Sequence, residues 1–118
     1  MDIEIPGIDA KKGLDLYDDD FEIYVTVLRS YVTNTPAALD KLRNVSAETL
    51  ANYAIYIHGV KGTSASIGAE EVRKTAAQLE IMAKVEDLQS VQAWNEAFLK
   101  SVDELLNNIQ SWLKQHSD

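Results

Sequence analysis

Apolar residues recur at intervals of three and four along most of the chain, and this spacing is the period of an α-helix. No stretch shows the strict alternation of a β-strand or the turn residues of a β-hairpin. The sequence therefore predicts an all-α protein. The apolar stripes that carry this prediction are Phe21, Tyr24, Val25, Leu28 and Val32; Leu50, Tyr53, Ile57, Val60 and Ile67; Val72, Ala76 and Leu79; and Trp94, Phe98, Val102, Leu105, Ile109 and Trp112.

Residues that start and stop helices divide this pattern into four long helices. Aspartates at positions 18–20 suit the start of the first helix, Ser46 is a good N-cap for the second, and Gly68 suits the second helix's end. Pro36 leaves two alternatives within the first helix, namely a kink or a new turn capped by Thr35. The predicted long helices are residues 21–43, 47–67, 69–85 and 91–115, preceded by a short helix within residues 9–16. Because the loops are short, we expect an antiparallel up-down-up-down four-helix bundle with a short extra N-terminal helix.

Size and charge narrow the possible functions. The 118 residues suit a single domain, predicted to span residues 1–118 with its core at about 8–113. Because cysteine is absent, disulfides, thiolate metal sites and a cysteine nucleophile are excluded. The formal net charge of −8 disfavours nucleic acid and anionic membranes as partners. No apolar run is long enough to span a bilayer, and the N-terminus is acidic, unlike a secretory signal. We therefore expect a cytoplasmic protein, and the polar exterior favours a monomer.

The predicted helix 47–67 carries an unusual second face, opposite its core stripe. A solvated helix face normally carries lysine, glutamate and glutamine, but the side chains here are small or apolar and surround one imidazole. Two glycines inside this helix, Gly59 and Gly62, each cost about 1 kcal/mol in helix propensity relative to alanine. The stability of a bundle does not require them. The residues of this second face are Ala51, Ile55, His58, Gly62 and Ala65.

An imidazole in this setting can accept a phosphoryl group from a docked protein. Gly62 lies one turn after His58 and lacks the side chain that would stand beside the ring. Lys61 places an ammonium near the same edge of the ring, where it can attract phosphoryl oxygens. Imidazole has an ordinary pKa of about 6.5, so its neutral, nucleophilic form is available at cytosolic pH.

Residues 58–69 read HGVKGTSASIGA, and this string resembles the motif of the histidine-containing phosphotransfer (HPt) domains. The family pattern is His, any residue, an aliphatic residue, Lys, Gly, two small residues and, after a short gap, Gly-Ala. Leu79 and Glu80 in the next helix also match, and the resemblance covers about residues 8–113. One departure is Gly59, where a residue with a side chain is more usual.

The resemblance implies a fold and a role. HPt domains are four-helix bundles with a short N-terminal helix, in agreement with the periodicity. Their histidine, by position His58, is phosphorylated by the aspartyl phosphate of one receiver domain and donates to the aspartate of another. Lys61 and Gly62 correspond to the family lysine and to the glycine that gives a partner access.

The resemblance also implies partners. These are response-regulator receiver domains and a hybrid histidine kinase, with Mg²⁺ held by the receiver. From helix geometry, we expect Ala51, Ile55 and Ala65 to line the docking face. Since no nucleotide-binding motif is present, we expect a carrier rather than an enzyme, with no intrinsic cofactor and no metal site.

A second hypothesis remains open as an alternative to the carrier hypothesis. The chain could be a phosphorylation-independent helical adaptor that binds a signalling partner through the same face, with His58 as a contact only. Two other expectations concern residues outside this face. His116 is expected to be frayed and solvated, and Trp94 and Trp112 are expected to pack in the core.

Overall fold

The computed structural model describes residues 3–116, and this range folds into helices without any β-strand. The predicted all-α class is therefore confirmed. The helices are α1 (Ala10–Asp15), α2 (Phe21–Asp40), α3 (Leu50–Ala65), α4 (Glu70–Lys84) and α5 (Leu88–Gln115).

The four long helices pack as an antiparallel bundle. Helix α2 contacts α3 and α5, and α4 contacts the same two helices, so the four form a closed ring. Tyr24, near the start of α2, bonds to Ile67 just beyond the end of α3. Phe21 packs edge-on against Trp112, near the end of α5. Both neighbours of α2 therefore run opposite to it, and α1 lies against α2 as a short extra helix.

The apolar stripes meet along the axis of the bundle and form its core. A buried polar group lies among them, because Asn95 accepts a hydrogen bond from the Tyr53 hydroxyl and donates one to the Leu42 carbonyl, both at 2.8 Å. Ile3 and Ile5 are buried as well, and they join the core although the sequence stripes did not include them. The largest fully buried side chains are Tyr24, Tyr53, Phe98, Leu28, Leu39, Leu42, Ile57, Ile67, Leu79, Ile109, Val91 and Val102.

Several helix ends differ from the predicted ones because short polar side chains form turns that periodicity does not detect. Helix α3 begins at Leu50 rather than 47, since the backbone N–H of Ser46 donates to Thr49 Oγ1 in a preceding turn. Helix α5 begins at Leu88 rather than 91, because Asp87 caps it by accepting from the Ser90 N–H.

Pro36 does not divide the first long helix. Helix α2 continues through it to Asp40, and Thr35 is buried inside the helix, so the alternative with a new helix capped by Thr35 is wrong. Proline removes only one helical hydrogen bond here, and Pro36 lies on the exposed side near the end of the helix.

Gly68 shapes the turn between α3 and α4 as predicted. Its φ of +79° lies in the left-handed region that favours glycine. A Cβ at this position would strike the Asp9 carbonyl, and the Gly68 carbonyl accepts from the Asp9 N–H at 2.8 Å. The start of α1 is thus attached to this turn.

Two expectations about the C-terminal half were only partly right. Trp112 is buried, but Trp94 is 51% exposed because it lies at the margin of the α5 stripe. His116 is exposed, as expected, but it is not frayed, since its ring stacks on Trp112 with centroids 4.1 Å apart and Nδ1 lies 2.8 Å from the Trp112 carbonyl. None of the helices within residues 3–116 is both long and apolar enough to cross a membrane.

Candidate functional site

Two buried tyrosines of α2 fix the rotation of α3. The Tyr24 hydroxyl donates to the Ile67 carbonyl at 2.6 Å, and the Tyr31 hydroxyl lies 2.9 Å from Ser64 Oγ. Burial raises the pKa of both tyrosines above the ordinary value, so the hydroxyls keep their protons well into the alkaline range. With this side of α3 held against α2, the next residue after buried Ile57 faces outward. That residue is His58, whose side chain is 65% exposed.

A carboxylate from the neighbouring helix holds the imidazole. Glu80 of α4 is buried, with its side chain 5% exposed, and its Oε2 lies 2.7 Å from Nδ1 of His58. A carboxylate at a core position requires partners that compensate its charge. Helix α3 therefore presents the ring to solvent, while α4 supplies the group that orients it.

Two lysines complete the cluster around Glu80. Nζ of Lys61 lies 2.6 Å from Oε1, and Nζ of Lys84 lies 3.0 Å from Oε2. The hydrogen bond from Lys61 is the main reason that the pKa of Glu80 falls to about 2, and the bonds from Lys84 and His58 lower it further against the effect of burial. Glu80 is therefore ionised at neutral pH.

The ionised carboxylate decides which ring nitrogen carries the proton. Because an ionised carboxylate only accepts hydrogen bonds, Nδ1 of His58 must donate to Glu80. In the neutral ring, the lone pair then belongs to Nε2. Within residues 3–116, Nε2 makes no hydrogen bond. The arrangement is that of an exposed nitrogen nucleophile on a fixed ring.

The space beside the ring is open. Gly62 is exposed, and a Cβ built on it would meet no heavy atom within 4 Å. The same is true of Gly59. Neither glycine is therefore required for helix packing, and both leave room for an approaching molecule.

Comparison with known families shows to which family the chain belongs. The family model of the Hpt domain matches residues 26–112, which include α3, α4 and most of α2 and α5. The chain belongs to the Hpt domain family. It is also 26% identical over 109 residues to the phosphorelay intermediate protein rdeA of Dictyostelium discoideum, covering 88% of this chain and 43% of that protein. The chain thus spans less than half the length of this curated relative. No solved structure gives a significant match.

The Hpt domain places the predicted docking residues around His58 on α3. Ala51 is exposed, Ile55 is 67% exposed, and Ala65 is half-buried. Lys61 lies on the same side of α3, but its ammonium contacts Glu80 and its side chain is only 31% exposed. The sequence predicts that this ammonium lies near the ring. The contact that the structure shows is with Oε1 of Glu80, whose Oε2 lies 2.7 Å from Nδ1 of His58.

Two residues of this Hpt domain were not assigned a site role from the sequence, namely Glu80 and Lys84. The sequence indicates Glu80 only through the family resemblance. A signal for it exists, because Glu80 follows Ala76 by four residues and so falls on the buried stripe of α4. A glutamate on a core stripe indicates a buried partner. Lys84 follows one turn later and carries no signal of its own.

Proposed function

We propose that this Hpt domain is a phosphorelay carrier in which Nε2 of His58 accepts a phosphoryl group from the aspartyl phosphate of a receiver domain. It then donates the group to the aspartate of another receiver. One observation carries the proposal: the ring is exposed to solvent while its Nδ1 is bound to a buried, ionised carboxylate. The family match and the similarity to a phosphorelay intermediate protein support the carrier role.

The phosphoryl transfer needs no separate general acid or base. Nε2 of the neutral ring attacks phosphorus, the P–O bond to the aspartate breaks, and the carboxylate leaves with the electron pair. The phosphorylated ring keeps its Nδ1 proton and carries a positive charge, which the Glu80 carboxylate neutralises. Donation to the next receiver is the reverse of this step.

The neighbouring residues have distinct parts in this proposal. Lys61 stabilises the charge of the transferring phosphoryl group, moving from the carboxylate oxygen that it now contacts. Gly62 lets the partner's aspartate come within bonding distance of Nε2. Ala51, Ile55 and Ala65 form the docking surface around the ring.

The partners follow from the chemistry. We propose receiver domains of response regulators and of a hybrid histidine kinase as the donor and acceptor. Mg²⁺ is proposed to reside on the receiver, and this domain is proposed to act as a carrier without kinase activity. Hpt domains are phosphotransfer carriers rather than kinases.

The test uses the two histidines of the chain as a matched pair. A receiver domain loaded with labelled phosphate is incubated with the parent chain, with His58→Gln and with His116→Gln. We expect an acid-labile, alkali-stable phosphoprotein from the parent and from His116→Gln, and no label on His58→Gln. Equal labelling of all three would refute the assignment. If instead none is labelled and His58→Gln still binds the partner as tightly as the parent, the adaptor hypothesis is favoured.

A further inference from the structure

An apolar groove runs between α2 and α3, next to the histidine face. Its volume is about 390 Å³, and most of its surface is apolar. Val27 and Ala38 of α2 form one wall, while Ile55 and Tyr56 of α3 form the other. Lys41 lies at one end, with its ammonium 4.9 Å from the centre of the Tyr56 ring. No other part of residues 3–116 covers this groove.

Gly59 keeps the groove open. It lines the groove in the interior of α3, and a Cβ there would meet no heavy atom within 4 Å. Packing within the bundle therefore does not explain a glycine at a position where it weakens the helix. Any larger side chain at position 59 would extend into the space of the groove.

The groove borders the surface around His58 on the side that faces α2. Gly59 directly follows His58, and Ile55 belongs both to the groove wall and to the proposed docking surface. On the other side of the ring, towards α4, the space is taken by the ion pairs of Glu80 with Lys61 and Lys84. A second, mostly apolar recess lies past Gly62 and Ala65, where Glu70 and Arg73 of α4 also line it. A partner that reaches Nε2 can bury apolar surface in the groove towards α2, which Gly59 and Ile55 line beside the ring's own turn of α3.

We propose that the groove receives an apolar side chain from the receiver domain that exchanges phosphate with His58, and that Gly59 determines which receivers fit. This inference rests on the proposed function. The occupant is a receiver because the groove is continuous with the surface that a phosphoaspartate must approach. Its anchoring side chain is apolar because the groove walls are apolar.

The test compares three leucine substitutions. Gly59→Leu fills the groove from α3, and Ala38→Leu narrows it from α2, a different helix from the one that carries the ring. Ala97→Leu adds the same side chain at an exposed site on α5. The probe is a receiver domain selected because it labels the parent chain. Its binding is measured by titration, and the amide shifts of the labelled Hpt domain are mapped by NMR. Labelling by phosphoramidate, a small phosphoryl donor, reports the reactivity of His58 without docking.

We expect Gly59→Leu and Ala38→Leu to weaken receiver binding at least about tenfold. Ala97→Leu should bind like the parent, and phosphoramidate should label all four proteins equally. Gly59→Leu should not lower the midpoint of thermal unfolding, because leucine is the better helix former. On receiver binding, the amides of Val27, Ala38 and Gly59 should shift.

The proposal is overturned if both groove variants bind the receiver like the parent, as they would if the groove served a small ligand. It is also overturned if only Gly59→Leu is affected, since that result indicates crowding of the ring, or if the shifts concentrate on α4. A parent chain that phosphoramidate labels but that no receiver labels contradicts the proposed function itself, and this inference falls with it.

Discussion

Replacing Glu80 by glutamine tests whether the buried carboxylate is the centre of the site. The substitution keeps the shape of the side chain but removes the charge that contacts His58, Lys61 and Lys84. We expect Glu80→Gln to be less stable than the parent at neutral pH and to orient the ring poorly. Phosphotransfer from a receiver to His58 should therefore slow, although the nucleophile itself is unchanged.

The size of the stability effect follows from the pKa of Glu80, which falls from 4.5 to about 2 in the folded protein. One pKa unit corresponds to about 1.4 kcal/mol, so this shift corresponds to about 3 kcal/mol. Both lysines contact water, and screening reduces this value. We expect Glu80→Gln to lower the free energy of unfolding by about 1–3 kcal/mol at neutral pH.

The stabilisation that ionised Glu80 contributes depends on pH, and the direction of this dependence follows from the pKa shift. Because the folded pKa lies below the unfolded one, the stabilisation is complete above pH 4.5 and is lost as the pH falls to about 2. The difference in stability between the parent and Glu80→Gln should therefore shrink across that window. Glu70, whose pKa is also lowered to about 2, principally by Arg73, is present in both proteins and cancels in the difference.

The assay is urea unfolding followed by far-ultraviolet circular dichroism at several pH values. Glu71→Gln is the matched control, because the Glu71 side chain is 86% exposed and its lysine contact is 4.0 Å long. We expect this control to follow the parent. If the parent and Glu80→Gln lose stability in parallel between pH 4.5 and about 2, the reasoning about the Glu80 cluster is refuted.

Three further substitutions test the packing by chemical denaturation. Gly68→Ala should lower the free energy of unfolding by about 1–3 kcal/mol, because φ is +79° and the new Cβ strikes the Asp9 carbonyl. Asn95→Ala should lower the free energy of unfolding by about 1–3 kcal/mol, since the buried Tyr53 hydroxyl loses its acceptor. Gly59→Ala should instead stabilise the chain by about 1 kcal/mol, because its Cβ enters open space. Unchanged stability in the first two, or a less stable Gly59→Ala, would contradict these contacts.

The helices could be predicted from the sequence because their signals are local. A stripe such as Tyr24 and Leu28 needs only the helical period to be recognised, and both residues are buried. Helix ends were harder to predict. The Ser46–Thr49 turn and the cap at Asp87 depend on side-chain hydrogen bonds, and more than one nearby polar residue can form such a bond. Trp94 shows the same limit, because a residue at the edge of a stripe is buried or exposed according to how the helix is rotated.

The site was predictable only in part. His58 and Gly62 were identified on one face of one helix, where spacing determines which residues lie together. The contact between His58 and Glu80 joins residues 22 positions apart on different helices. The helical period cannot show such a pair, because it is set by how α3 and α4 align.

By itself, the sequence determined that the chain is helical, which faces of the helices are apolar, and that one face carries an imidazole among small residues. These properties depend on residues within a few turns of each other. The tertiary structure decided which ring nitrogen is bound, which lysines surround the carboxylate, and where the groove beside Gly59 lies. Each of these depends on the rotation and alignment of packed helices, and the burial of the whole core fixes both.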